Sequence, residues 1–378
     1  MSSNSVYSRL GVRPIINAAS WRSGVSGSLM PDAVVKAMAE ASRSYVDIYE
    51  LNRKAGEVIA KLTGAEAGMV TAGASAAMLL EAAACIAGKD PAKISRLPDT
   101  EGMKNEIIIH HAHRIGYEIN FRAAGAKLVM IGDTHHTTEW MLESAINDRT
   151  AAVAYVIGPR PGGALPMPEV VRISHSRGVP VIVDAASMLP PPENLTRFVA
   201  MGPDLVCFSG GKGVRGPQSS GILCGKKEFI EAATLNASPY AAIGRPAKVS
   251  KEEIVGLVTA LELFVDTDFD ALTRKWLSMA EYIASEVAKV PGLTAVAEPG
   301  EPEHLEFDTT LPRVVVKRDS SKHRLSTDDL VDRMASGDPS IRVVNKLFTG
   351  GFFISPVTLQ DGEPEIIVRR IREIMTAR

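Results

Sequence analysis

The chemistry in this sequence gathers around one lysine. Val206-Cys207-Phe208-Ser209-Gly210-Gly211-Lys212 runs from apolar residues into small ones, and a glycine-rich stretch then leads to a second apolar run, Ile222–Cys224. An amine set between two buried strands is poorly hydrated, and burial disfavours its charged form. A neutral amine can form a Schiff base with an aldehyde. The simplest competing reading is a solvated turn lysine. Two other signatures fail on missing parts. Ser209-x-x-Lys212 fits the acyl-enzyme pattern, but no Ser-Asp-Asn or Lys-Thr-Gly occurs in the chain. A Walker loop requires glycine where Val206 stands.

Three other places supply what a flat aldehyde cofactor with a phosphate and a ring nitrogen needs. Thr71-Ala72-Gly73-Ala74-Ser75 lies between a strand pattern and an apolar helical run. Free N–H groups and the helix dipole favour an anion at such a turn, although Ser75 can equally serve as a plain helix cap. Glu106 to His110 reads as a strand, followed by His111-Ala112-His113. A ring there can stack on a planar cofactor. A metal has no support, because no convergent cysteine or carboxylate spacing accompanies these histidines. Val181-Ile182-Val183 ends in Asp184, placing an acid at the strand edge where open parallel sheets bind ligands, with a helix cap as the competing reading. Lys212 follows Asp184 by 28 residues, room for a crossover and one more strand, so both can reach one pocket. Together these residues point to pyridoxal phosphate.

The elements that must position them follow from the pattern. Strands near 106–110, 127–131, 150–157 and 181–183 alternate with helical segments, which predicts an α/β architecture with a large, doubly wound, mostly parallel sheet. Residues 1–45 read as an N-terminal arm and helix, 46–265 as the large cofactor-binding domain, and 266–378 as a connecting helix and smaller C-terminal α+β domain; 88–105 read as a loop. Net charge is −2, with no basic block interleaved with aromatics, so a nucleic-acid partner is not expected. Cys85, Cys207 and Cys224 sit in apolar runs and read as buried free thiols. The polar start and the lack of any apolar run near about 18 residues predict a cytoplasmic protein without a membrane partner.

A phosphate turn, a ring, a strand-terminal aspartate and a lysine in that order resemble the fold type I pyridoxal-phosphate enzymes. Within them the chain resembles the selenocysteine synthase (L-seryl-tRNA selenium transferase) family, nearest to its D-glucosaminate-6-phosphate ammonia-lyase branch. The resemblance rests on Val183-Asp184-Ala185-Ala186, Phe208-Ser-Gly-Gly-Lys212 and Arg215-Gly-Pro-Gln218-Ser-Ser-Gly221, supported by Asn194-Leu-Thr-Arg-Phe198 and Lys248-Val-Ser-Lys-Glu-Glu253. The N-terminal tRNA-binding domain of the bacterial transferases has no counterpart, which argues against tRNA chemistry. Asn17-Ala-Ala-Ser20-Trp21 replaces the expected Asn-Ala-Ala-Gly and leaves the sugar acid open.

The resemblance implies roles. Lys212 carries the cofactor and moves the α-proton, Asp184 pairs with the ring nitrogen, and His113 stacks on one ring face while Ala186 leaves room on the other. Thr71, Gly73, Ala74, Ser75 and Ser209 fall to the cofactor phosphate; Asn17, Arg215, Gln218 and Arg342 are candidates for the substrate. The expected reaction is β-elimination from a 2-amino-3-hydroxy sugar acid, giving a 2-oxo-3-deoxy acid and ammonia. Racemase or aldolase chemistry uses the same lysine, aspartate and phosphate cup; selenium transfer and a non-catalytic binding protein are further alternatives. A homodimer or higher homo-oligomer is expected from the resemblance.

Overall fold

The computed structural model describes residues 6–133, 135–158, 163–299, 311–319, 321, 325–346 and 350–377. Among them are twelve strands: β1 Ile15–Ala18, β2 Ala67–Thr71, β3 Glu106–His110, β4 Lys127–Ile131, β5 Thr150–Val156, β6 Val181–Asp184, β7 Leu205–Ser209, β8 Gly221–Gly225, β9 Leu293–Glu298, β10 Arg313–Arg318, β11 Ser340–Lys346 and β12 Gly351–Ile354.

Seven of them form one sheet in the order β2-β8-β7-β6-β5-β3-β4. β8 runs antiparallel to both neighbours, and the other pairs are parallel. Every residue of β3, β6 and β8 is buried, the signature of strands covered on both faces by helices. The helices have local reasons to start and stop where they do. Asp47 caps the Ile48–Thr63 helix by accepting from the Tyr49 and Glu50 N–H groups, and Gly64 ends it in the left-handed region. Ser250 and Glu253 form a capping box on the Lys251–Val265 helix. The Gly73–Ala87 helix is apolar on nearly every face and lies in the core with Cys207, Ile182 and Leu223 of the sheet.

The second sheet, β1-β11-β12-β10-β9, belongs to a smaller unit. The helices Phe269–Val287, Thr327–Ser336 and Glu363–Thr376 supply its core with Ile283, Leu330 and Ile371.

The compact units divide the chain at 27/28 and 267/268, not at 45 and 265. The first strand explains the shift. β1 pairs in parallel with β11 and buries Ile16 and Ala18 in the smaller core, so the chain before Ser28 joins that unit; the Asp32–Ala41 helix joins the large one. The stretch read as a loop, 88–105, contains a short helix, Pro91–Ile94, capped by Asp90. No described helix is long and apolar enough to cross a membrane.

Candidate active site

Asp184, Ser209 and His113 come from the same edge of the large sheet. Asp184 ends β6, Ser209 ends β7, and His113 closes a 3-10 turn directly after β3. The turn after β2 opens the Gly73–Ala87 helix, and Lys212 lies in the connection between β7 and β8. All of these residues belong to the large unit.

Asp184 is 5 % exposed. One carboxylate oxygen, Oδ1, accepts the Ala186 N–H at 2.9 Å and lies 4.0 Å from the Cys207 Sγ. Burial raises its pKa, opposed by the Ala186 N–H and by the charge of Lys212. Lys212 is half-buried, and its Nζ donates to Ser187 Oγ at 2.6 Å. Loss of water lowers the amine's pKa, with Asp184 acting against that trend. The two side chains therefore share one electrostatic environment, and a neutral, nucleophilic lysine is within reach there. Its loop is fastened from behind, where the Ser28 hydroxyl donates to the Lys212 and Gly211 carbonyls.

His113 is buried. Its ring stands edge-on to Tyr155 with 4.3 Å between centroids, and Nδ1 accepts the Val156 N–H at 3.4 Å. That bond leaves the proton on Nε2 and fixes the ring plane. His110 packs behind it at 5.0 Å, fully buried, with burial pushing its pKa down to about 4.

The Gly73–Ala87 helix begins at Ala72 without a side-chain cap. Thr71 Oγ1 donates to the Gly73 carbonyl at 3.1 Å, and Gly73 adopts φ +78°, a conformation that glycine takes without strain. The opening N–H groups of that helix have no intrahelical acceptor and suit an anion. Gly221 lets the sheet approach this turn, since a Cβ there would lie 2.5 Å from the Gly73 carbonyl carbon. The Ser75 and Ser209 hydroxyls make no hydrogen bond within the described protein, and Ala186 is half-buried. An uncapped anion cup, an aspartate with a carboxylate oxygen to spare, a buried ring wall and a deprotonatable lysine fit pyridoxal phosphate.

The family model for L-seryl-tRNA selenium transferase matches residues 22–290. The chain belongs to the L-seryl-tRNA selenium transferase family. Among curated relatives, D-glucosaminate-6-phosphate ammonia lyase of Salmonella typhimurium is 32 % identical over 98 % of this chain and 97 % of its own. 5'-C-glycyluridine monooxygenase-decarboxylase of a Streptomyces species is 33 % identical over 98 % of this chain and 92 % of its own. The solved structure of a D-glucosaminate-6-phosphate ammonia-lyase superposes with a TM-score of 0.86 at 31 % identity, covering 99 % of both chains. The architecture of this selenium transferase family member is fold type I, and its coenzyme is pyridoxal phosphate.

Of the residues singled out in the sequence, Thr71, Gly73, Ala74, Ser75, His113, Asp184, Ala186, Ser209, Lys212, Arg215 and Gln218 all belong to the large unit. Asn17 and Arg342 belong to the small one, where they are register partners on β1 and β11. The Asn17 side chain fastens its own loop, accepting the Ala19 N–H and donating to the Ser20 and Gly27 carbonyls. Arg342 is exposed. Sequence reading missed Ser187, Ser28 and Tyr155, which hold the lysine and the histidine, and it missed Glu81. The Glu81 side chain is fully buried in the Gly73–Ala87 helix with neither carboxyl oxygen bonded. A lone acid inside Met78-Leu-Leu-Glu81-Ala-Ala was the signal available for it.

Proposed function

We propose that the protein is a pyridoxal-phosphate-dependent ammonia-lyase acting on a 2-amino-3-hydroxy sugar acid, of the type of D-glucosaminate or its 6-phosphate. The observation that carries the chemistry is the Lys212 amine in the connection after β7, donating to Ser187 Oγ at 2.6 Å, with burial lowering its pKa and the charge of Asp184 acting against that. The full-length likeness to the ammonia-lyase structure supports the choice of elimination over racemisation or aldol cleavage.

When bound, the coenzyme supplies an electron-withdrawing ring that makes the substrate's α-proton acidic. Asp184 holds the positive charge of the ring nitrogen, which a carboxylate with a free oxygen in a dry site does well. His113 and Ala186 define the two faces of the ring slot. Thr71, Gly73, Ala74, Ser75 and Ser209 bind the coenzyme phosphate. The Lys212 Nζ takes the α-proton as a neutral amine, with Ser187 orienting it. That proton is then available to the departing 3-hydroxyl, which leaves as water, and hydrolysis of the enamine gives the 2-oxo-3-deoxy acid and ammonia. Gln218, in the same connection as Lys212, is assigned to the substrate's hydroxyls.

The active form is proposed to be at least a dimer. Tyr45, Val46 and Tyr49 are exposed and border a cavity of about 1200 Å³ with Tyr240, Arg245 and Lys248, an aromatic and cationic face suited to a second subunit. The deciding assay offers D-glucosaminate with and without the 6-phosphate and follows ammonia and the 2-oxo-3-deoxy acid. Release from either form is expected, from a species that sediments above monomer mass. No ammonia from either, together with α-proton exchange on simple amino acids, would replace the lyase with a racemase.

A further inference from the structure

Arg215 lies three residues after the lysine, and its backbone is in the left-handed region at φ +59°, where a residue with a Cβ is strained. The loop holds it there. Its N–H donates to the Lys212 carbonyl at 3.0 Å, a turn that keeps the two Cα atoms within about 7 Å of each other. Its Nε donates to the Leu29 carbonyl at 3.0 Å.

The two terminal nitrogens of the guanidinium remain. Among the described residues Arg215 forms no ion pair, and no hydrogen bond beyond the Leu29 contact engages its side chain. Other arginines differ: Arg114 and Arg172 have their pKa values raised by hydrogen-bonded glutamates. Arg215 has its pKa lowered, and loss of water is the only cause. The residue as a whole is exposed while its charged group is partly desolvated and unpaired. A guanidinium fixed through Nε presents both terminal nitrogens as a fork to planar or tetrahedral oxyanions.

We infer that Arg215 is a specificity-determining residue that binds a phosphate ester on the substrate. The inference rests on the proposed reading of the Lys212 loop as the active site, and on no particular reaction. The test uses the coenzyme-loaded protein, whose phosphate cup is filled, so added inorganic phosphate reports a second site. At constant ionic strength, phosphate should raise the melting temperature of the wild type saturably. That response should vanish in Arg215→Gln and weaken at least tenfold in affinity in Arg215→Lys, which keeps the charge and loses the fork. In the sugar-acid assay, the preference in kcat/KM for the phosphorylated substrate should fall on the order of 100-fold in Arg215→Gln.

An unchanged phosphate response in Arg215→Gln overturns the assignment. Should that variant fail to load coenzyme, an unchanged affinity in Arg215→Lys overturns it equally. If neither sugar acid reacts but the phosphate response depends on Arg215, the lyase reading falls and this one stands. Turnover with an Arg215-independent phosphate response gives the reverse.

Discussion

Two buried aspartates stand at opposite ends of β6 and its neighbour β7, and they are treated differently. Asp204, just before β7, accepts the Val181 N–H at 2.7 Å and His175 Nε2 at 2.8 Å on one oxygen, and pairs with Lys226 at 2.6 Å on the other. Its bonding capacity is in use, and it ties the start of β6 to β7 and β8. Asp184, at the far end of the same four-residue strand, has one backbone N–H, a distant thiol and a pKa raised by burial. A saturated buried acid holds a fold together, whereas an incompletely bonded one is held ready for something that arrives later.

The largest effect should come from the lysine at the open end. Lys212→Ala should leave no coenzyme mass attached after borohydride treatment and should reduce turnover at least about 1000-fold, read by intact-mass analysis and ammonia release. A coenzyme adduct persisting in that variant would remove the lysine from its role.

The aspartates should then separate cleanly. Asp184→Asn should melt close to the wild type and lose on the order of 100-fold in kcat, because a neutral amide cannot balance the charge of the ring nitrogen. Asp204→Asn should do the opposite, losing about 2–3 kcal/mol of stability by denaturant titration while the folded fraction keeps the wild-type coenzyme spectrum. Equal stability losses in both variants would erase the contrast.

Glu81 sharpens the comparison by belonging to neither class, being buried with neither carboxyl oxygen hydrogen-bonded among the described residues. Burial, and secondly the charge of Asp184, raise its pKa well above 4.5. The unfolded chain therefore ionises at that position while the folded one stays protonated. Stability should fall as pH rises from about 4.5 to the raised folded pKa, by up to about 1.4 kcal/mol per pH unit, and then level off. Glu81→Met should be more stable at neutral pH and lack that component of the slope, checked by denaturant melts across the range. An unchanged slope would mean that Glu81 is not the titrating group.

Much of this was readable in the residues. Alternating apolar runs announced the mostly parallel sheet, and Asp184 and Lys212 stood out only together with the phosphate turn and the ring, since a turn lysine or a helix-capping acid explains either one alone. The antiparallel β8 was hidden, since a short buried strand reads the same in either direction. β9 was overlooked because Leu293-Thr-Ala-Val-Ala-Glu298 is only partly buried and lacks a strong alternation. β1 was legible as extended chain but not as part of the second sheet, because its partner β11 is more than 300 residues away. Ser28 and Ser187 carried no local signal; their meaning lies in contacts that only the fold creates.

The connection between β7 and β8 is closed at its neck. Ser209 is in register with Gly221, and the Gly210 N–H donates to the Ser220 carbonyl at 2.9 Å. Inside, the path leaves no room for detours: a Cβ on Gly211 would meet Gln218 Cα at 2.6 Å, and one on Gly213 would meet the Leu189 carbonyl oxygen at 2.3 Å. The loop is thus an exchangeable cassette. Its glycines are locked by sterics, its ends are locked by the sheet, and novelty can enter through the exposed side chains at Arg215, Gln218 and Ser219 without disturbing strand register. A lineage that needed a different partner for the same lysine would find those positions the shortest route.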